Sequence, residues 1–173
     1  AANTRLTGDT SSAGRLFDAV SAIAGLCEEQ SDEAQAAMLL EAAGGDFAQA
    51  VYDDNDFVVT KEADVNVLDV TTLLKRLFAM RLDGASPQTI SQRFHAAFSA
   101  GMAELARICI PAGSSVCLSG GTFLNRFMAA DLNRRLRQMG YQTSLPSQLP
   151  PGDGAISFGQ CAVARQRLDA AGH

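Results

Sequence analysis

The stretch from Ser115 to Leu145 constrains the fold more than any other part of the chain. It places a short apolar run over 115–119 before Gly120-Gly121, then a helical pattern over 122–139 and a second strand-like run over 141–145. Two neighbouring strands joined through a helix run parallel, because a tight turn joins only antiparallel strands. The pattern therefore predicts an α/β fold with a short, mostly parallel sheet flanked by helices.

Helical periodicity predicts further helices on both sides of this unit. Ser11 or Ser12 is suited to cap the first of them, whose apolar face runs as far as Cys27. Ser86-Pro87 is a typical start for a long helix that ends before Pro111. The remaining helices are predicted over 32–43, 70–82 and 154–168, and short strands over 57–60 and 65–68.

Charge and hydropathy exclude some classes of partner. The formal net charge is −5, which argues against a nucleic-acid backbone as the main partner. No apolar run approaches the ~20 residues that a membrane-spanning helix needs, and no secretory signal is recognisable. We expect a cytoplasmic protein that binds neither nucleic acid nor membrane. Because the first residue is Ala1 and not Met, we also expect a piece of a longer chain.

The cysteines and the most conspicuous polar residues favour structural roles. No two of the four cysteines have the C-x-x-C spacing of a zinc or redox pair, and apolar neighbours predict that Cys109, Cys117 and Cys161 are buried, reduced thiols. His95 lies between aromatic residues on the long helix, which favours a core histidine over a ligand. The acidic cluster over 53–56 lacks the glycine and distal glutamate of a calcium loop, so a solvated turn is predicted there.

A glycine turn at the end of the first strand is the first candidate for ligand binding. Gly120 and Gly121 allow a ligand to approach the backbone, and a helix that starts there presents unpaired N–H groups. Asn125 is expected one turn into that helix, where its amide can both donate and accept hydrogen bonds. No Gly-Lys-Ser/Thr follows, so the turn is not a P-loop. The alternative is the tight turn of an ordinary α/β protein.

Two carboxylates are further candidates. Asp153 lies between two glycines at a loop-to-helix junction, where it either caps the helix or holds a metal. Asp18 lies on a mostly apolar helix and therefore needs a partner. Arg15, three residues earlier, is one such partner, and the hydroxyls of a bound ribose are another.

Three segments resemble the HypF family of carbamoyltransferases. Residues 10–19 resemble the family's T-S-S-x-G-R-L-F-D-A, residues 119–126 its S-G-G-V-F-x-N-R, and residues 150–160 its P-x-N-D-G-G-x-x-x-G-Q. The segments occur in family order and span nearly the whole chain. Departures occur at Thr122 and Gly152, and at Asp32 and Ala34 on either side of Glu33.

The resemblance implies an ASKHA-type (actin/Hsp70-like) lobe, one nucleotide-binding lobe over 1–173 that is a fragment of a larger enzyme. Asp153 matches the family's metal-binding aspartate, and the ligand set implies a divalent metal of the magnesium or iron/zinc type. ATP or carbamoyl-adenylate is the implied nucleotide. The positions that match its contacts are Asp18, Glu33, Gly120, Gly121 and Asn125.

The function that the resemblance implies is part of a carbamoyltransferase of nickel–iron hydrogenase maturation. The carbamoyl group would pass from carbamoyl-adenylate to the C-terminal cysteine of a HypE-type maturation protein, for synthesis of the cyanide ligand. The partners implied are that protein and the N-terminal lobe and other domains of the same enzyme. The family's H-x-x-x-H pair is absent from this sequence. Two alternatives therefore remain: an O-carbamoyltransferase lobe, and a module that binds a nucleotide or partner without catalysis.

Overall fold

A computed structural model describes residues 10–48 and 50–170 of the chain. These residues form six α-helices, three short 3-10 helices and two small sheets. The α-helices are α1 (Ala13–Ile23), α2 (Gln35–Gly44), α3 (Thr71–Leu82), α4 (Pro87–Cys109), α5 (Arg126–Gln138) and α6 (Ile156–Ala170). The strands are β1 (Val58–Glu62), β2 (Val65–Asp69), β3 (Ser115–Cys117) and β4 (Gln142–Ser144).

The chain divides into two compact units. The first unit contains the described residues up to Val58 together with Asp69–Ala97. The second contains Val59–Leu68 and the described residues from Phe98 onward. Among the described residues, no helix is both long and apolar enough to cross a membrane.

The first unit is built from α1, which packs against α2 and α3. The Ser12 hydroxyl accepts a hydrogen bond from the N–H of Arg15, at 3.4 Å, so Ser12 is the cap of the first helix. Burial of large apolar side chains is the main favourable term in holding such a unit together. Its buried apolar residues include Phe17, Val20, Leu40, Leu73, Leu77, Ile90 and Phe94.

His95 is completely buried in this unit, which confirms the prediction of a core histidine. Its Nδ1 lies 2.8 Å from the carbonyl oxygen of Ser91. The rings of Phe17, Phe47 and Phe94 surround the imidazole, with ring centroids 5.1 to 5.5 Å from its own. Burial lowers the pKa of His95 from 6.5 to about 4, although the Ser91 carbonyl acts in the opposite direction. The native state therefore holds a neutral imidazole.

The predicted solvated turn at 53–56 is wrong for one of its residues. Asp56 is completely buried, and its carboxylate receives the guanidinium groups of Arg76 and Arg93 at 2.5 and 2.9 Å. Asp53 and Asp56 also form a capping box around the 3-10 helix Asp54–Asp56. A buried carboxylate requires such partners, and they come from α3 and α4, where no local pattern reveals them.

The second unit contains the parallel pair that the sequence predicts. Strand β3 pairs with β4 in parallel, with Val116 opposite Thr143, and α5 connects them. Together with the helices, this sheet confirms an α/β class, but the expectation of one mostly parallel sheet is wrong, because the described strands form two separate two-stranded sheets. The core beside it consists of Ala103, Leu118, Leu132, Leu136 and Tyr141.

Two predicted helix starts differ from the structure by three residues or more. The helix expected from Thr122 begins at Arg126, because Gly121–Leu124 forms a 3-10 helix and Asn125 is the N-cap of α5. The helix expected from Asp32 begins at Gln35, because Ala34 has φ 58° and ψ 11°. Left-handed backbone cannot continue a right-handed helix, so α2 starts only after Ala34.

The prediction of buried cysteines is wrong. Cys109, Cys117 and Cys161 are exposed and Cys27 is half-buried, all as free thiols. Cys161 belongs to α6, a helix in which every side chain from Ile156 to Ala170 is exposed. The apolar neighbours of Cys161 suggested a buried position, but no described residue covers this helix.

Candidate functional site

Two of the predicted site residues lie together on a surface cleft of the first unit. The cleft has a volume of about 440 Å³, and both Asp18 and Glu33 line it. It is formed where the start of α1 meets the segment that leads into α2. Its other lining residues are Ser12, Gly14, Arg15, Gln30, Asp32, Ala34 and Ala37.

The cleft has an excess of negative charge. Among the residues that the structure describes, three carboxylates, those of Asp18, Asp32 and Glu33, and one guanidinium line it. That guanidinium belongs to Arg15, whose Nη1 lies 3.3 Å from a carboxylate oxygen of Asp18. The predicted partner of Asp18 on its own helix is thus present. Because carboxylates accept hydrogen bonds and repel anions, the cleft suits a ligand rich in hydroxyl groups more than a phosphate.

Ala34 lines the same cleft in a strained conformation. Its φ of 58° lies in the left-handed region, which an alanine adopts at a cost of about 1 kcal/mol because of its Cβ. The packing of α1 against α2 must offset this cost. Strained backbone is often found at ligand sites, and here it directs the chain from Glu33 into α2.

The glycine turn of the second unit is held by the loop that precedes Asp153. The N–H of Gly120 donates to the carbonyl of Pro151, with 2.6 Å between N and O, and the Ser119 hydroxyl donates to the same oxygen at 3.2 Å. Gly120 has φ 107° and ψ 164°, a region that is essentially restricted to glycine. The sequence predicted unpaired N–H groups at this turn, but the N–H of Gly120 is already bonded to the Pro151 carbonyl.

Gly121 differs from Gly120, since neither its conformation nor its surroundings demand a glycine. Its φ is not positive, and a Cβ built on it would find no atom within 4 Å. The fold therefore tolerates a side chain here. What the glycine provides is bare backbone that an external group can approach closely.

Asn125 is engaged in capping α5. Its Oδ1 accepts a hydrogen bond from the backbone N–H of Met128 at 3.0 Å, and only 8% of the residue is exposed. The expectation that Asn125 lies one turn into the helix is wrong, because the helix begins immediately after it. Its side chain thus has a structural role in addition to any contact with a ligand.

Asp153 is exposed and is the first residue of the 3-10 helix Asp153–Ala155. The cap position of that turn belongs to Gly152, so the prediction of Asp153 as an N-cap is wrong. Residues 10–48 and 50–170 contain no group of three or more histidine, cysteine, aspartate or glutamate side chains that could hold a metal. A metal at Asp153 would therefore meet fewer than three such side chains of these residues and would need other ligands from elsewhere.

The predicted site residues fall into two sets. Asp18 and Glu33 belong to the first unit, and the glycine turn, Asn125 and Asp153 belong to the second. Sequence reasoning missed the carbonyl of Pro151, which joins two of the three motifs. The only signal for it was the Pro-Pro pair, which makes that loop rigid.

Comparison with known proteins connects these features to one family. The family described as "Carbamoyltransferase, Kae1-like Domain, second subdomain" matches residues 2–160. The carbamoyltransferase HypF of Rhizobium leguminosarum bv. viciae is 40% identical over 168 residues, which are 91% of this chain and 20% of that protein. A HypF homolog from Cupriavidus necator is 33% identical, over 94% of this chain and 42% of that protein. The chain thus spans about a fifth to two fifths of the length of these relatives.

Solved structures agree with this relationship. A crystal structure of full-length HypF in its phosphate- and nucleotide-bound form superposes with a TM-score of 0.79 at 32% identity, over 91% of this chain and 20% of that one. HypF of T. kodakarensis shares the fold, with a TM-score of 0.65 at 23% identity over 92% of this chain and 20% of that one. The chain therefore belongs to the HypF carbamoyltransferase family, in which it corresponds to the second subdomain of the Kae1-like domain.

Proposed function

We propose that this chain is the part of a HypF-type carbamoyltransferase that holds an adenine nucleotide, ATP or carbamoyl-adenylate, during carbamoyl transfer. It acts together with the N-terminal lobe and other domains of the same enzyme, and we assign it to the ASKHA-type lobes. The related HypF of known structure is described as phosphate- and nucleotide-bound, which supports a nucleotide as the ligand.

The bare backbone at Gly121 is the observation that carries the proposal. A glycine that is needed neither for its φ nor for space in the fold leaves the position of the missing Cβ open to a ligand. Gly121 also lies beside the loop that carries Asp153. A planar base or a phosphate oxygen can come closer to such a backbone than to any other residue.

The acidic cleft of the first unit, taken by itself, suits a ribose. Asp18 and Glu33 line it, and carboxylates accept hydrogen bonds from the 2′ and 3′ hydroxyl groups of a ribose. The Asp18 carboxylate already pairs with Arg15, so a ribose would either share that carboxylate or displace the Arg15 guanidinium from it. The Arg15 side chain is 71% exposed. An exposed pair of this kind contributes little to stability, so its loss does not oppose binding strongly.

The reaction proposed for the whole enzyme is transfer to a thiolate. The sulfur of a cysteine at the C-terminus of a HypE-type protein attacks the carbamoyl carbon, a C–S bond forms, and the C–O bond to the phosphate breaks. AMP leaves with the electron pair of that bond. The role of the chain is to hold the adenylate so that the carbonyl faces the thiolate, which lowers the entropic part of the barrier. The assignment of Asp153 as one ligand of a divalent metal, of the magnesium or iron/zinc type, stays a proposal on which this role does not depend.

Thermal unfolding of the chain with and without millimolar magnesium-ATP tests the proposal. A ligand that binds only the folded state stabilises it by RT ln(1 + [L]/Kd), about 2.7 kcal/mol at a hundredfold excess over Kd. We expect an upward shift of Tm for the natural chain and a much smaller shift for Gly121→Ala. Without ligand, Gly121→Ala should unfold at an unchanged or slightly higher temperature, because alanine restricts the unfolded chain.

Gly140→Ala is the matched control in the same unit. Gly140 has φ 87°, so alanine there lowers the stability of the free protein but leaves the shift caused by magnesium-ATP intact. Equal ligand-induced shifts for the natural chain and Gly121→Ala would contradict the proposal. The absence of any shift in the natural chain would favour the alternative of a module that binds a partner without catalysis, for which the departures from the family pattern at Asp32 and Ala34 are the supporting observation.

A further inference from the structure

One backbone carbonyl joins the glycine turn and the Asp153 loop of the second unit. The carbonyl oxygen of Pro151 accepts the N–H of Gly120, at 2.6 Å from N to O, and the hydroxyl of Ser119, at 3.2 Å. Ser119 and Pro151 are 32 residues apart in the chain. Two donors from one loop therefore converge on a single acceptor of the other.

Both sides of this contact are conformationally restricted. Pro150 and Pro151 each have φ fixed near −65° by their rings, and Gly120 occupies a backbone region that other residues cannot reach without strain. The loops also touch beyond the hydrogen bonds, since a Cβ on Gly152 would lie 3.5 Å from the Cα of Gly121. The contact therefore places the backbone of this loop beside the bare backbone of Gly121, and Asp153 follows Pro151 in the loop by two residues.

We propose that Ser119 is a positioning residue, whose hydroxyl holds the Pro151 carbonyl and so places the Asp153 loop against Gly121. The Gly120 N–H supplies one attachment, and the hydroxyl supplies a second that prevents the loop from pivoting about the first. This inference rests on the proposed function in two respects, namely that a nucleotide binds beside Gly121 and that Asp153 contributes to its binding as a ligand of the metal.

The chemistry of the side chain at position 119 makes the proposal testable. Serine and threonine each have a hydroxyl that can donate to a carbonyl, whereas alanine has no donor. Ser119 is exposed, so Ser119→Ala removes the donor without opening a cavity. Ser119→Thr restores the donor, and Ser115→Ala, at an exposed serine of β3, is the matched control.

Amide NMR spectra of the whole chain, recorded without ligand, give the first test. Ser119→Ala should shift the resonances of Gly152, Asp153 and Gly154, and should accelerate hydrogen exchange at the N–H of Gly120 about 3-fold to 10-fold, as expected for the loss of one net hydrogen bond. Ser119→Thr should return both observables most of the way to their natural values. Resonance shifts confined to residues 118–121 in Ser119→Ala would overturn the proposal. So would equal shifts of residues 152–154 in Ser115→Ala.

Titration with magnesium-ATP in the same spectra gives the second test. If Ser119 acts through the Asp153 loop, Ser119→Ala and Asp153→Asn each raise the Kd for magnesium-ATP. The Kd of the double variant is then no higher than the higher of the two single-variant values. Losses that multiply would mean that Ser119 acts independently of Asp153, which contradicts its role as a positioning residue. If the natural chain shows no change with magnesium-ATP, the proposed function fails, whereas the coupling between the loops is decided by the spectra without ligand.

Discussion

The Oδ1 of Asn125 accepts a hydrogen bond from the backbone N–H of Met128 at 3.0 Å, so a residue of the candidate site is also the cap of α5. Asn125→Ala removes this bond from a nearly buried position. We expect it to lower the free energy of unfolding by about 1 kcal/mol, the usual effect of losing an N-cap. Urea unfolding of the natural chain and the variant measures this difference.

Asn125→Asp separates capping from ligand binding. Aspartate caps helices as well as asparagine does, but it has lost the NH₂ group and gained a negative charge. We expect a free energy of unfolding within about 0.5 kcal/mol of the natural value, together with weaker stabilisation by magnesium-ATP. If Asn125→Asp and Asn125→Ala unfold equally easily, the side chain does not stabilise α5 as the structure shows.

Ala34 and Ala63 share a left-handed backbone, with φ of 58° and 52°. Glycine adopts this conformation without the steric cost of a Cβ, although it also gives the unfolded chain more freedom. We expect Ala34→Gly and Ala63→Gly each to leave the free energy of unfolding unchanged or to raise it by up to about 1 kcal/mol. Ala79→Gly, at an exposed position inside α3, should lower it by about 1 kcal/mol.

Comparison of the two left-handed alanines then asks whether the strain serves the cleft. Ala34 lines it, whereas Ala63 lies in the turn between β1 and β2. If Ala34→Gly alters the stabilisation by magnesium-ATP and Ala63→Gly does not, the conformation of residue 34 matters for the ligand. A loss of stability of 1 kcal/mol or more in both variants would contradict the left-handed geometry.

Asp56 is the most strongly enclosed charge of the first unit. Its carboxylate is completely buried, while the side chains of Arg76 and Arg93 are 34% and 19% exposed. Asp56→Asn removes the negative charge and leaves two guanidinium groups facing each other, which should lower the free energy of unfolding by about 3 kcal/mol or more. Asp54→Asn, at an exposed position of the same turn, should change it by less than about 0.5 kcal/mol. Similar effects of the two substitutions would contradict the buried cluster.

The elements that the sequence predicts well are those with local signals. Ser12 before an apolar helical face, Ser86-Pro87 before α4 and the strand pattern around α5 each depend on residues within a few positions of one another. Such signals survive folding because they act on the backbone next to them. They were sufficient for the α/β class and for the parallel pairing of β3 with β4.

Features that depend on distant residues could not be predicted in this way. Asp56 looks like part of a solvated acidic turn, because its partners lie 20 and 37 residues further along the chain. Gly120 and Gly121 are identical in the sequence, yet one is required by its backbone conformation and the other is not. The left-handed Ala34 is equally hidden, since alanine is the best helix former and gives no sign of a break.

His95 gives the first unit a stability that depends on pH in a definite window. Its pKa is lowered to about 4 in the folded protein from an ordinary value of 6.5, chiefly by burial. The unfolded chain therefore binds more protons than the folded chain as the pH falls below 6.5, so protonation favours unfolding. The stabilising effect is fully present above pH 6.5, and we expect a loss of about 2 kcal/mol between pH 6.5 and 4.5. The carboxylates with lowered pKa values, such as Asp69 and Asp131, act in the same direction but below this window.

Urea unfolding at several pH values tests this dependence. The free energy of unfolding should fall between pH 6.5 and 4.5 for the natural chain and change much less for His95→Asn, whose amide can still donate to the Ser91 carbonyl. Parallel pH profiles for the natural chain and His95→Asn would mean that this imidazole is not neutral and buried as described.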